Sequence, residues 1–129
     1  MANVNFEHLF TPLQVGPMKV PNRICETTNT INSSMAPGLI DEHFIAHHGA
    51  KAKGGTGWIG SETWLLNAPF PPETPPEIGL AVGFGTPWAS YQNPAFLEGK
   101  KKFCEEIHKS GAVVVVQLTH LSAVWAPSA

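Results

Sequence analysis

Cysteine is scarce in this 129-residue sequence. Cys25 and Cys104 are too few for a disulfide framework and fit a reducing compartment. Charge is sparse too: 14% of residues, 8 basic against 10 acidic, for a formal net charge of −2. That balance leaves no electrostatic footprint for nucleic acid or an anionic membrane surface, and neither is expected as a partner. No apolar run approaches a bilayer span, the longest purely aliphatic one being Ala112–Val116. The N-terminus, Met-Ala-Asn-Val-Asn-Phe-Glu-His, lacks the basic-then-apolar order of a secretory signal, so a cytoplasmic protein is expected. With 43% hydrophobic residues the chain is not of the disordered class, and its length has room for one domain.

What the sequence has in excess is glycine and proline, 12 of each. Six prolines lie between Trp64 and Asn93, among them Pro71-Pro72 and Pro75-Pro76, followed by Gly83-Phe-Gly85. Proline removes amide donors and fixes φ, and glycine loosens the backbone, so neither a helix nor a central strand is expected in this loop, 64–93. Its apolar side chains, including Phe70, Ile78, Val82 and Trp88, are too many for a solvated linker. A lid or pocket wall is the expectation.

On either side, strand and helix patterns alternate. Residues 9–20 alternate around Gly16-Pro17 and predict a β-hairpin. Ile24–Thr28 reads as a short strand after the Pro21-Asn22-Arg23 turn. Asp41 to Lys53 is helical, with Asp41 as N-cap and Gly54-Gly55 able to end it in the left-handed conformation. Thr56–Ser61 is β-like. Pro94–Ser110 is the clearest helix, with Asn93 at the N-cap, Pro94 at the first position and Gly111 past the end. Ala112–Leu118 is apolar on both faces and predicts a strand buried on both sides. This order indicates a parallel α/β sheet.

In such folds ligands sit at the C-terminal ends of the strands. Those ends carry Thr27-Thr28-Asn29-Thr30, Ser61-Glu62-Thr63 and Gln117-Leu118-Thr119-His120. Hydroxyls and amides suit a neutral heterocycle better than phosphate or a hard metal, although Ser and Thr at such places also simply end strands and cap helices. Gln117 follows four valines, where the strand is expected to be buried; a buried amide without partners costs about 1–3 kcal/mol, so it bonds either backbone or a ligand. His43 and His47 share a helix face, but Glu42 points elsewhere and no Glu or Cys completes a ligand spacing, so a helix-end cluster is expected and no metal. Gly83-Phe-Gly85 lacks a third glycine and a preceding strand, and Gly54-Gly-Thr-Gly57 precedes its strand; neither is a nucleotide loop. Cys25 and Cys104 read as small buried hydrophobes.

Four segments in register resemble the N-terminal part of the old yellow enzyme family of FMN-dependent oxidoreductases. They are Leu9-Phe-x-Pro-Leu-x-Val-Gly with Val20-Pro-Asn-Arg-Ile24; His47-His48-x-x-Lys51-Ala52-x-Gly54-Gly55-x-Gly57-Trp-Ile; Ser61-Glu62-Thr63; and Ile107-His108-Lys-Ser-Gly111-Ala112 leading to Gln117-Leu-Thr-His120. The resemblance implies an incomplete (β/α)8 TIM barrel over residues 1–129: an opening hairpin at 9–20, then a barrel start at 22–129 with about three βα units. It implies that Thr27, Thr28, Asn29 and Thr30 line the flavin, that Thr63 approaches its isoalloxazine, and that Gln117 bonds its pyrimidine edge. Some relatives have, at the position of Thr30, a cysteine that can hold the flavin covalently; a threonine implies non-covalent FMN. His48 stands where tyrosine is common, Lys51 where arginine is usual and Thr28 where proline is frequent.

A complete barrel needs about 250 residues. The family's substrate-orienting pair, proton donor and phosphate site belong to later strands, so the catalytic residues are expected beyond Ala129. The chain is therefore expected to be an N-terminal fragment, inactive alone, with an unpaired sheet edge and uncovered apolar faces. The implied enzyme uses NAD(P)H as reductant on a small-molecule substrate and is an ene-reductase or dienoyl-CoA reductase. The alternatives are an amine-dehydrogenase-like relative and a non-catalytic truncated module. An iron–sulfur cluster enters only with a longer C-terminal part, and a homo-oligomer is open for the full-length form.

Overall fold

The computed structural model describes residues 6–30, 39–65 and 94–119. A 3-10 turn, Glu7–Phe10, leads into the expected hairpin, β1 (Leu13–Val15) and β2 (Met18–Val20), antiparallel with Val15 opposite Met18. Gly16 turns it with φ +55°, a left-handed conformation in which a side chain is strained. Next come β3 (Cys25–Glu26), α1 (Glu42–Lys53), β4 (Trp58–Leu65), α2 (Pro94–His108) and β5 (Val113–Thr119). The three later strands form one parallel sheet in the order β3-β4-β5. The α/β architecture expected from the sequence is present. Among the described residues no helix is long and apolar enough to cross a membrane.

The helix ends follow their local chemistry. Asp41 is extended, and its carboxylate accepts the Phe44 amide at 2.9 Å, satisfying one of the orphan donors of the first turn. At the other end Gly55, not Gly54, takes the left-handed conformation (φ +99°). Gly111 does the same after α2, with φ +75°. The Asn93 cap, the Pro-rich stretch 66–93 and His120 lie outside the described residues.

Both helices cover one face of the sheet. Phe44 and Ala52 of α1, Phe96, Phe103 and Ile107 of α2, and Ile59 and Trp64 of β4 form a buried apolar cluster. Phe103 is fully buried and meets Phe44 edge-on at 5.3 Å between ring centroids. Gly99 lies so close to the preceding segment that a Cβ there would collide with the Ile40 carbonyl oxygen. Strand side chains alternate between faces, so Val114 and Val116 pack on the cluster while Cys25, Val113, Val115 and Gln117 look the other way.

Four expectations are corrected. β4 runs on to Leu65, past the residue where the loop was expected to begin, because it stays paired with β5: Trp64 faces Leu118, and its buried ring meets Phe96 edge-on at 5.5 Å. β5 is not buried on both sides. Val113 to Val116 are half-buried and Gln117 is exposed, since β5 is the outer strand of the described sheet and no described residue covers the face away from the helices. Cys25 is exposed for the same reason, while Cys104 is partly buried against the core. The strand expected over Ile24–Thr28 is also shorter, Cys25–Glu26.

Candidate functional site

The parallel register brings the predicted residues to one end of the sheet. The Thr63 amide donates to the Thr30 hydroxyl oxygen at 3.4 Å, which folds the segment after β3 back over the end of β4. Thr63 is directly opposite Gln117 of β5. Thr30, Thr63 and Gln117 are therefore neighbours at the C-terminal ends of three parallel strands, where ligands of such sheets bind. Thr27 and Thr28 approach β4 at Gly60, where a Cβ would stand 2.8 Å from the Thr28 nitrogen and 3.0 Å from the Thr27 carbonyl carbon. Asn29 is exposed. Gln117 is exposed and its amide has no partner among the described residues, so the desolvation argument for a ligand there falls away and its position remains. The strand irregularity between Gly60 and Thr63 shifts the register just before the site, a common device for re-aiming side chains.

Behind this edge lies a polar cluster that spacing rules did not reveal. Glu26 and Ile59 are register partners, and both sit on the helix-covered face. Against the Glu26 carboxylate stand His48 and Lys51, one turn apart on α1: His48 Nδ1 lies 3.4 Å from Oε2, and Lys51 bonds Oε1. The far side of the His48 ring, Nε2, is 3.9 Å from Oε1 of Glu62, which is fully buried. The imidazole is 1% exposed and packs on Phe44 and Phe103, at centroid distances of 4.6 and 5.7 Å. Burial holds it below the ordinary histidine range, outweighing the opposing pull of Glu26. Among the described residues His43 does not join a metal-capable group with His47; Glu26, His47 and His48 do. The one available signal was an acid in one expected strand, Glu26, and another at the end of the next, Glu62. Spacing along a single helix cannot find a cluster that spans three elements.

No protein-family model matches the chain. The curated N,N-dimethylglycine/sarcosine dehydrogenase of Chromohalobacter salexigens is 24% identical over 119 residues, covering 90% of this chain and 15% of that protein. The old yellow enzyme from Trypanosoma cruzi superimposes with a TM-score of 0.68 at 20% identity, covering 89% of this chain and 27% of that one. Morphinone reductase in complex with tetrahydroNAD gives 0.63 at 25% identity, covering 88% and 27%. The chain has the fold of part of an old yellow enzyme. It spans about a quarter of the old yellow enzyme structures it matches and less of the curated relative. The half-buried Glu26 of β3 meets His48 and Lys51 of α1, the two positions where the resemblance implied tyrosine and arginine.

Proposed function

We propose that this chain is the flavin-contacting N-terminal part of an FMN-dependent oxidoreductase of the old yellow enzyme type. The observation that carries the reading is the meeting of Thr30, Thr63 and Gln117 at one end of a parallel sheet. The donor set suits the group: a primary amide free to pair with a heterocycle edge, and hydroxyls with no cationic cluster among the described site residues. Gln117 would hold the pyrimidine edge, Thr63 would lie beside the ring system, and Thr27 to Thr30 would close the side, without a covalent link at Thr30. Bound FMN would supply hydride transfer, and the protein would supply orientation and electrostatics.

The reductant in this reading is NAD(P)H, supported by the match to morphinone reductase in complex with tetrahydroNAD. The electron acceptor is an activated alkene, on which the remaining strands of the full barrel supply the proton. The match to a dimethylglycine/sarcosine dehydrogenase favours a second reading, in which an amine is the electron donor to the same flavin. The experiment is FMN reconstitution of the complete gene product followed by desalting. Retained flavin absorbance that falls at least tenfold in Gln117→Ala supports the proposal, and no retained flavin in the unaltered protein overturns it. Anaerobic mixing with NADPH or with sarcosine then separates the two readings by which one bleaches the flavin.

A further inference from the structure

We propose that Glu26, His47 and His48 form a site for a divalent transition-metal cation of the zinc class, with Glu62 as the acceptor that orients His48. One ligating atom from each of the first three residues falls within 4.8 Å of the others. Coordination at about 2.0–2.2 Å places neighbouring ligand atoms roughly 3.3 Å apart. The 3.4 Å between His48 Nδ1 and Glu26 Oε2 already meets that spacing. Only His47 has to close in, by on the order of an ångström, and it is on the same helix as its neighbour.

Two further observations point to a ligand. Nε2 of His47 is buried without a hydrogen-bond partner, and the adjoining His48 side chain is 1% exposed. A buried imidazole nitrogen left unbonded is unfavourable, and coordination of His47 would remove that cost. The surroundings also have the arrangement of a metal's outer sphere. With Nδ1 of His48 directed at Glu26 and the cation, its Nε2–H points to Glu62, 3.9 Å away. That is an ion-pair distance and not yet a hydrogen bond; histidine ligands commonly donate their other ring N–H to a carboxylate, the role Glu62 takes when the ring settles on the cation. Lys51 bonds the other oxygen of Glu26, so Oε2 stays turned to the site. Imidazole and carboxylate together select zinc, cobalt or nickel over magnesium or calcium. The cation would tie α1 to the end of β3, immediately before Thr27–Thr30, and this inference does not depend on the flavin reading.

The test is titration of cobalt(II), then zinc(II), into the metal-free, tag-free full chain, read by the d–d absorbance of cobalt and by the thermal midpoint. The expected result is saturable one-to-one binding, a raised midpoint that a chelator reverses, and displacement of cobalt by zinc. His47→Gln, a half-buried position that leaves the core untouched, should weaken binding at least tenfold. Glu62→Gln should weaken it about 10–100-fold as an outer-sphere change. Lys51→Met, which removes a neighbouring cation, should tighten it. His43→Gln, on the same helix outside the cluster, should leave it unchanged. Absence of saturable binding, or binding that survives His47→Gln, overturns the proposal and leaves Glu26, His48 and Lys51 as a part-buried ion-pair network.

Discussion

A Cβ on Gly60 would stand 2.7 Å from the carbonyl oxygen of Glu26, closer than real Cβ atoms come to backbone. The end of β3 thus rests directly on β4, and the missing side chain lets the Thr27–Thr30 segment reach Thr63. Gly60→Ala should separate the two strands and cost about 1–3 kcal/mol, as overpacking does. Urea unfolding checks the stability, and flavin retention in the complete gene product should fall with it.

Phe103 is the hub of the core, in edge contact with Phe44, His48 and Trp64 at centroid distances of 5.3, 5.7 and 6.3 Å. Phe103→Ala should destabilise the chain by about 3–5 kcal/mol. Phe103→Leu, which fills more of the space, should cost clearly less. Equal losses in the two variants would mean that ring geometry, and not volume, is what this position supplies.

Thr30→Val keeps the shape of the side chain and removes the acceptor of the Thr63 amide. The bond is long and exposed, so the loss in stability should be small, below about 1 kcal/mol. The loss of FMN retention should be larger than the loss of stability, because the segment over the site is released. A thermal melt beside a flavin retention assay separates the two.

Glu106 of α2 accepts from Lys109 at 2.8 Å and pairs with Lys53 of α1 at 2.6 Å. The hydrogen bond from Lys109, with the Lys53 pair, holds its carboxyl down to about 2. The native state therefore binds the proton less readily than the unfolded chain does. The contribution is complete above pH about 4.5 and is lost as pH falls towards 2. The groups are solvent-accessible, so the effect is small and shrinks with added salt. The midpoint difference between the unaltered chain and Glu106→Gln, followed from pH 5 to pH 2.5, should narrow as the acid side chain is protonated.

Caps and turns were readable in advance because their chemistry is local. Asp41 needs only the amide three residues on, and Gly16, Gly55 and Gly111 need only a left-handed backbone. The end of β4 was not readable. The prolines after Trp64 signal a loop, but the buried face of Trp64 against Phe96 is a tertiary fact that overrides the local signal. The four valines of β5 show a strand able to be buried on both sides; whether both faces are covered depends on elements elsewhere. In the site, the positions of Thr30, Thr63 and Gln117 follow from parallel strand order, which the alternating pattern indicates. Glu26 did not stand out, because one acid in a two-residue strand looks like a turn residue until α1 brings His48 and Lys51 to it.

The bare α-carbon of Gly99, seated on the Ile40 carbonyl, fixes more than a close approach. A helix slid by one turn against its neighbour keeps much of its apolar stripe buried, so apolar contacts alone tolerate such slippage. Here the shift would drive a larger residue, Phe96 or Phe103, into backbone that has space only for hydrogen. The contact therefore holds α2 in register against the residue that leads into α1, and with it the level at which α2 delivers its side chains to the core.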